Sequence, residues 1–201
     1  MVLDPWSTEG FDYPHLRIPT HSQPDDAAYC VPYALWMIIS YVKNEYTDNT
    51  IRSKTETIPT WELVKMIKPD EFTGWRPNQA DLTKVSETTK TISFSLEQWP
   101  GDPPKSLMEL AQESLEEDLP LIGFIDSFLL EYGVRSGRGA DHCVIICGLG
   151  KDSNGNDTAV IADPWYAALH ECPQDKLNEA WDPSHHQIID VGVRQIAKSG
   201  V

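Results

Sequence analysis

The chain lacks any long apolar run, and none approaches the ~20 consecutive apolar residues that a membrane-spanning helix needs. The opening Met1-Val2-Leu3-Asp4-Pro5-Trp6 has neither a basic start nor an apolar stretch behind it, so it does not read as a secretory signal. Positive charge is also scarce, with 16 Lys and Arg against 31 Asp and Glu and a formal net charge of −15. Such a field repels phosphate backbones and anionic lipid, which argues against nucleic acid and against a membrane as partners. Solubility, adaptation to a salty cytoplasm and a cationic substrate would each account for the acidity. Cysteine is limited to Cys30, Cys143, Cys147 and Cys172. In a chain of 201 residues without a signal, reduced thiols in a cytoplasm are the expectation, not a disulfide scaffold. No Gly-Lys-Ser/Thr phosphate loop occurs. No closed set of metal ligands is visible either. Cys143 and Cys147, four apart in a predicted strand, would stand ~13 Å from each other, too far for one zinc ion with Zn–S bonds of ~2.3 Å. His170-Glu171-Cys172 and His185-His186 supply further donors but complete no set. Neither a metal nor a cofactor is expected.

What the chain does have is an ordinary globular composition, 40% hydrophobic and 23% charged. Its length suits a single domain spanning 1–201, in which residues 1–28 form an extended, irregular arm. A helix is predicted to begin near Cys30, with Pro32 in its first turn, where the missing N–H costs nothing. The run Tyr33 to Val42 is apolar on nearly every face, so this helix should be buried and central. A polar stretch fills 43–59. Thr60 is expected to cap a short helix carrying Leu63, Val64 and Ile67 and ending before Pro69, and Asn78 a second helix reaching about Thr88. Ile92, Phe94 and Leu96 alternate as in a half-buried strand. Ser106 to Glu109 has capping-box form ahead of a helix that aligns Leu107, Ala111 and Leu115. Strands are predicted at Pro120–Ile125, His142–Gly148, Thr158–Asp163 and within Gln187–Ile196. The second and third of these form a hairpin about the turn cluster 151–157, and a mobile glycine-rich loop lies at 133–139. The predicted class is α+β: a central buried helix packed on an antiparallel sheet.

Four residues of this framework carry chemistry. Cys30 falls at a helix N-terminus, where free N–H groups and the helix dipole favour thiolate over thiol. Without those effects a free cysteine is a small buried hydrophobe. His142 opens a strand after the glycine-rich loop, and Asp163 closes the next strand. Across a hairpin the carboxylate would fix the imidazole tautomer and stabilise imidazolium. Asp141 is a poorer partner, because neighbours in a strand point to opposite faces. Gln23 could offer its side-chain amide to an oxyanion, with the Cys30 backbone N–H as second donor. Trp165, just past Asp163, is the tryptophan expected to line the site.

The order Gln, Cys, His, Asp, with Cys heading a buried helix and His and Asp on later strands, matches the papain-like arrangement. Arg17-Ile18-Pro19, Gln23-Pro24-Asp25-Asp26, Cys30-Val31-Pro32 and Ala34-Leu35-Trp36-Met37 resemble the catalytic opening of the bacteriocin-leader-processing peptidases and their stand-alone relatives. His142 to Leu149 and Val160 to Trp165 resemble that family's His strand and Asp-Pro-Trp segment. The resemblance spans roughly 17–42 and 105–166. It implies a papain-like fold and a cysteine peptidase acting on a peptide or isopeptide bond through an acyl-enzyme thioester. Cys30 would be the nucleophile, His142 the base, Asp163 the orienting residue and Gln23 the oxyanion donor. A peptide or protein substrate would be the partner, and no cofactor would be needed. Two positions depart from the family: Val31 stands where Gly is usual, and the Gln23-to-Cys30 interval is one residue longer. These leave open a same-fold amidase, deamidase or acyltransferase, and a catalytically weak papain-like binding module.

Overall fold

The computed structural model describes residues 15–24, 29–67, 77–135, 140–181 and 186–194. Helix α1 (Cys30–Asn44) is the central element, and ten of its fifteen residues are buried. Tyr33, Trp36 and Ser40, spaced three and four apart, form its one half-exposed stripe. His21 of the N-terminal arm covers that stripe, with ring centroids 4.9 Å from Tyr33 and 4.8 Å from Trp36. Two helices flank α1, α2 (Asn49–Lys54) and α3 (Thr60–Met66), and a further helix, α4 (Gln79–Thr89), packs against α3 and the strand that follows it. Asn78 caps α4 as expected, its side chain accepting from the Asp81 N–H at 2.9 Å. Thr60 does not cap α3. It is the first helical residue, the preceding position is Pro59, and no side chain caps this end. The fixed φ of proline sets the helix entry there without a side-chain acceptor.

Six strands form one wholly antiparallel sheet in the order β1-β6-β2-β3-β4-β5. They are β1 (Ile92–Glu97), β2 (Leu121–Ile125), β3 (His142–Lys151), β4 (Asp157–Asp163), β5 (Ala168–Pro173) and β6 (Ile188–Val193). Helices α5 (Leu107–Glu116), α6 (Ser127–Tyr132) and α7 (Gln174–Ala180) complete the fold. The capping box of Ser106 and Glu109 is formed. Leu107 and Ala111 are buried beneath it, and Leu115 is half-buried. The predicted hairpin is β3–β4. Asp152 Oδ1 organises its turn by accepting from the Asn154 and Asn156 N–H groups, each at 2.8 Å.

The sheet separates two cores. Cys143, Ile145 and Cys147 of β3 face the core that α1 fills. Val144 and Ile146 face a second core with Leu107 of α5 and Leu177 of α7. A bulge between Ile146 and Gly148 shifts the β3–β4 register. There the Cys147 carbonyl accepts from the Leu16 N–H of the arm at 2.8 Å, so the bulge serves as the arm's attachment point. The stretch 43–59 contains α2, and α6, β5 and α7 fall where no element was predicted. Helices are therefore less segregated from strands than the sequence pattern implied, since α5, α6 and α7 lie between strands in the chain. Of the predicted loop at 133–139, residues 136–139 lie outside the described residues, as do 1–14 and 25–28 of the predicted arm. No described helix is long and apolar enough to cross a membrane.

Candidate active site

Cys30 is the first residue of α1 and is 1% exposed. The helix makes its first turn around it, with the Tyr33 N–H bonded to the Tyr29 carbonyl at 3.1 Å. The N–H groups of the first helical residues have no helical partner and point toward the thiol's end of the helix. His142 is the first residue of β3, and α1 packs across β3. Cys30 and His142 interact by a hydrogen bond and by charge.

Asp163 is the last residue of β4. The residue directly opposite it on β3 is Val144, two places past His142 by the register. His142 therefore meets Asp163 along a diagonal, not face to face. Its Nε2 lies 2.8 Å from Asp163 Oδ1, and both side chains are about nine-tenths buried. With Nε2 engaged by the carboxylate, Nδ1 is the ring nitrogen left for the thiol. The same Asp163 oxygen accepts from the Trp165 backbone N–H at 2.7 Å. Two donors thus hold the carboxylate in place behind the imidazole.

Burial would raise the Cys30 thiol. Hydrogen bonds with the Cys143 side chain and with His142, together with the charge of His142, outweigh it and bring the thiol down to about 6. Burial would likewise depress His142, but its bonds to Asp163 and Cys30 raise it to about 10. Thiolate and imidazolium stabilise each other, and the favoured resting state at neutral pH is the ion pair.

Gln23 is buried. Its backbone N–H donates to the Pro164 carbonyl at 2.9 Å, and the Ser22 hydroxyl donates to the Trp165 carbonyl at 3.3 Å. The arm is thereby fastened to the segment immediately after Asp163, which brings Gln23 to the same end of the fold as the His–Asp pair. Trp165 lies edge-on to His142, with ring centroids 6.3 Å apart. Asp141 is used elsewhere, just ahead of β3. Its carboxylate accepts from the Ser127 N–H at 2.8 Å and the Ser127 hydroxyl at 3.1 Å, holding the start of α6. A cavity of about 490 Å³ opens beside the His–Asp pair, with Phe128, Trp165 and Tyr166 among its walls and no residue of α1 lining it.

Cys143 is the site residue that sequence reasoning missed. The sequence pattern offers it only as a metal donor with Cys147, yet its side chain lies close enough to Cys30 to shift the nucleophile's ionisation. The available signal was its place one residue after His142, on the face that receives α1.

No protein-family model matches the chain, and no curated protein matches it. Among solved structures, it is similar to a double-glycine-motif protease from an AMS/PCAT transporter, in complex with its leader peptide. That match has 14% identity and a TM-score of 0.54, and covers 93% of this chain and 96% of that one. The fold is papain-like. A second solved structure, the proform of the ragweed pollen allergen cysteine protease Amb a 11, aligns over 94% of this chain and 67% of that one, at 14% identity and a TM-score of 0.43. Within the papain-like fold, α1 is the central helix and β3 and β4 are the strands that present His142 and Asp163 to its N-terminus.

Proposed function

We propose that the protein is a cysteine peptidase that hydrolyses a peptide or isopeptide bond through Cys30, His142 and Asp163. The observation that supports this most is the buried 2.8 Å bond from His142 to Asp163, with the Cys30 thiol on the other side of the same imidazole. A structural histidine needs no such pairing with a thiol at a helix N-terminus.

The Cys30 thiolate attacks the acyl carbon, and the carbonyl electrons move to oxygen. The Cys30 backbone N–H and the Gln23 amide stabilise that oxyanion. The His142 imidazolium gives its proton to the departing amine, which leaves an acyl thioester on Cys30. Neutral His142 then takes a proton from water, and the resulting hydroxide attacks the thioester. Collapse of the second oxyanion expels the thiolate and restores the ion pair. Asp163 keeps Nε2 protonated and steadies the imidazolium throughout. The substrate is a peptide or protein, no cofactor enters the reaction, and the four unlinked thiols suit a reducing cytoplasm.

Incubation with a mixed peptide pool, followed by mass spectrometry, tests this reading. New peptide termini and a thioester on Cys30 trapped by rapid acid quench are expected. Release of ammonia without new termini would replace peptidase by deamidase on the same triad. A Cys30 that no peptide-based electrophile can alkylate would leave a binding module.

A further inference from the structure

Cys143 neither forms a bond nor moves a proton in acyl transfer, yet it is placed against the nucleophile. It follows His142 on β3, and its side chain turns into the core that α1 packs upon. The Cys143 and Cys30 side chains face each other where α1 packs on β3, close enough that each shifts the other's ionisation. Both are buried, Cys30 at 1% and Cys143 at 0% exposure. The other two thiols are held elsewhere. Cys147 sits at the bulge with its sulfur donating to the Val160 carbonyl at 3.4 Å, and Cys172 belongs to the core on the opposite face of the sheet.

We propose that Cys30 and Cys143 form a reversible oxidation site for hydrogen peroxide, closing a disulfide that protects the nucleophile. The inference rests on the reading of Cys30 as an ionised nucleophile. The Cys30 thiolate attacks one peroxide oxygen and the O–O bond breaks. Cys30 becomes a sulfenic acid, and the departing hydroxide takes a proton from the His142 imidazolium and leaves as water. The Cys143 sulfur then gives up its proton and attacks the Cys30 sulfur. The S–S bond forms, the S–O bond breaks, and the oxygen departs as a second water with the Cys143 proton and the hydroxyl proton. Two thiols have lost two electrons and one peroxide has gained them. The two cysteines divide the work by environment. Burial, followed by the hydrogen bond to Cys30 and its charge, keeps the Cys143 thiol protonated, so it is held in reserve and is not the first sulfur oxidised. Without an adjacent thiol the sulfenic acid would proceed to sulfinic and sulfonic acid, which thiol reductants do not reverse.

The test reads mass and labelling, not hydrolysis. Reduced protein is first alkylated with iodoacetamide at neutral pH, where labelling of Cys30 ahead of the other three thiols is expected. A second sample is treated with hydrogen peroxide, blocked and mapped without reduction. Wild type should lose about 2 Da, yield a cross-linked peptide joining Cys30 to Cys143, and regain full Cys30 labelling after dithiothreitol. Cys143→Ala and Cys143→Ser should instead gain two or three oxygens on Cys30 and recover less than about a tenth of the labelling. Either variant serves if the other folds poorly. A wild type that labels at Cys30 but oxidises to sulfinic acid without the cross-link overturns this inference and leaves the peptidase reading standing. So does recovery of the Cys143 variants equal to wild type. A Cys30 that iodoacetamide never labels in native protein overturns both.

Discussion

Each end of β3 meets a buried thiol, Cys30 of α1 at its start and the strand's own Cys147 at its bulge, and the two regions treat a thiol in opposite ways. At the start, Cys30 meets the strand through Cys143 and His142, and its thiol falls to about 6 despite complete burial. At the bulge, Cys147 is equally buried, donates to a backbone carbonyl, and is pushed up by that burial. Cys172, with Asp175 near it on the other face of the sheet, rises to about 11. Burial is the largest influence at all three and always opposes charge. What separates Cys30 is its neighbours: the Cys143 thiol, and a proton acceptor, His142, that is itself made more basic by a buried carboxylate. A helix N-terminus does not suffice alone, so the candidate active site lies where α1, β3 and β4 converge.

The sharpest test of the contrast removes the reactive sulfur. Cys30→Ala is expected to cut hydrolysis by ~10³-fold or more, because the other thiol at the site, Cys143, is kept protonated by burial and makes a poor nucleophile. Its melting should be measured beside its activity, since a buried side chain is also lost. Full activity in a well-folded Cys30→Ala protein would break the assignment.

The next test removes the acceptor. His142→Ala should abolish turnover and also slow alkylation of Cys30 at pH 7, because burial then acts on the thiol unopposed by the imidazolium. Asp163→Asn should slow turnover less, since His142 keeps its place in proton transfer and an amide still bonds to the ring. In wild type, kcat/KM should rise with pH as Cys30 ionises near 6 and fall as His142 loses its proton near 10. A single rising limb with no fall up to pH 11 would show that the imidazolium proton is not used. Equal and total losses in His142→Ala and Asp163→Asn would assign the two residues differently.

A smaller effect is expected at Gln23, the arm residue fastened to Pro164. An oxyanion bond forms fully only in the transition state. Gln23→Ala should therefore lower kcat about a hundredfold with little change in KM, while alkylation of Cys30 persists. A kcat within a factor of about three of wild type would mean that the longer Gln23-to-Cys30 interval holds the amide out of reach.

Features that depend on neighbours in sequence were legible before the fold was known. The apolar run from Tyr33, the Asn78 cap, the Ser106 capping box and the turn of Asp152 and Asn156 each declare themselves within about one turn of chain. The His142–Asp163 pairing was legible because a short hairpin brings its two strand ends together. Its diagonal register was not, since the bulge at Ile146–Gly148 has no local signature. β6 inserts between β1 and β2, and no periodicity encodes a pairing such as Ile92 with Val193. α6 and α7 have six and seven residues, too few for a helical stripe to emerge. The contact of Cys143 with Cys30 depends on how α1 docks on the sheet, which is a property of the whole core and not of either segment.

The smallest expected effect is at Cys147, the counterpart that defines the other side of the comparison. If the bulge thiol is only packing, Cys147→Ala should leave kcat, KM and the pH profile of Cys30 alkylation unchanged. It should lower stability by about 1 kcal/mol, the scale for deleting one buried atom from a filled core. The carbonyl of residue 147 would still accept from Leu16, so the arm, and Gln23 with it, should stay in place. Denaturant unfolding measures the first part, and alkylation rates between pH 5 and 9 measure the second. A shift of the Cys30 midpoint in Cys147→Ala would show that the two ends of β3 are coupled through the core. The contrast between them would then reflect a shared packing state of the strand, and not the presence or absence of a partner at each thiol.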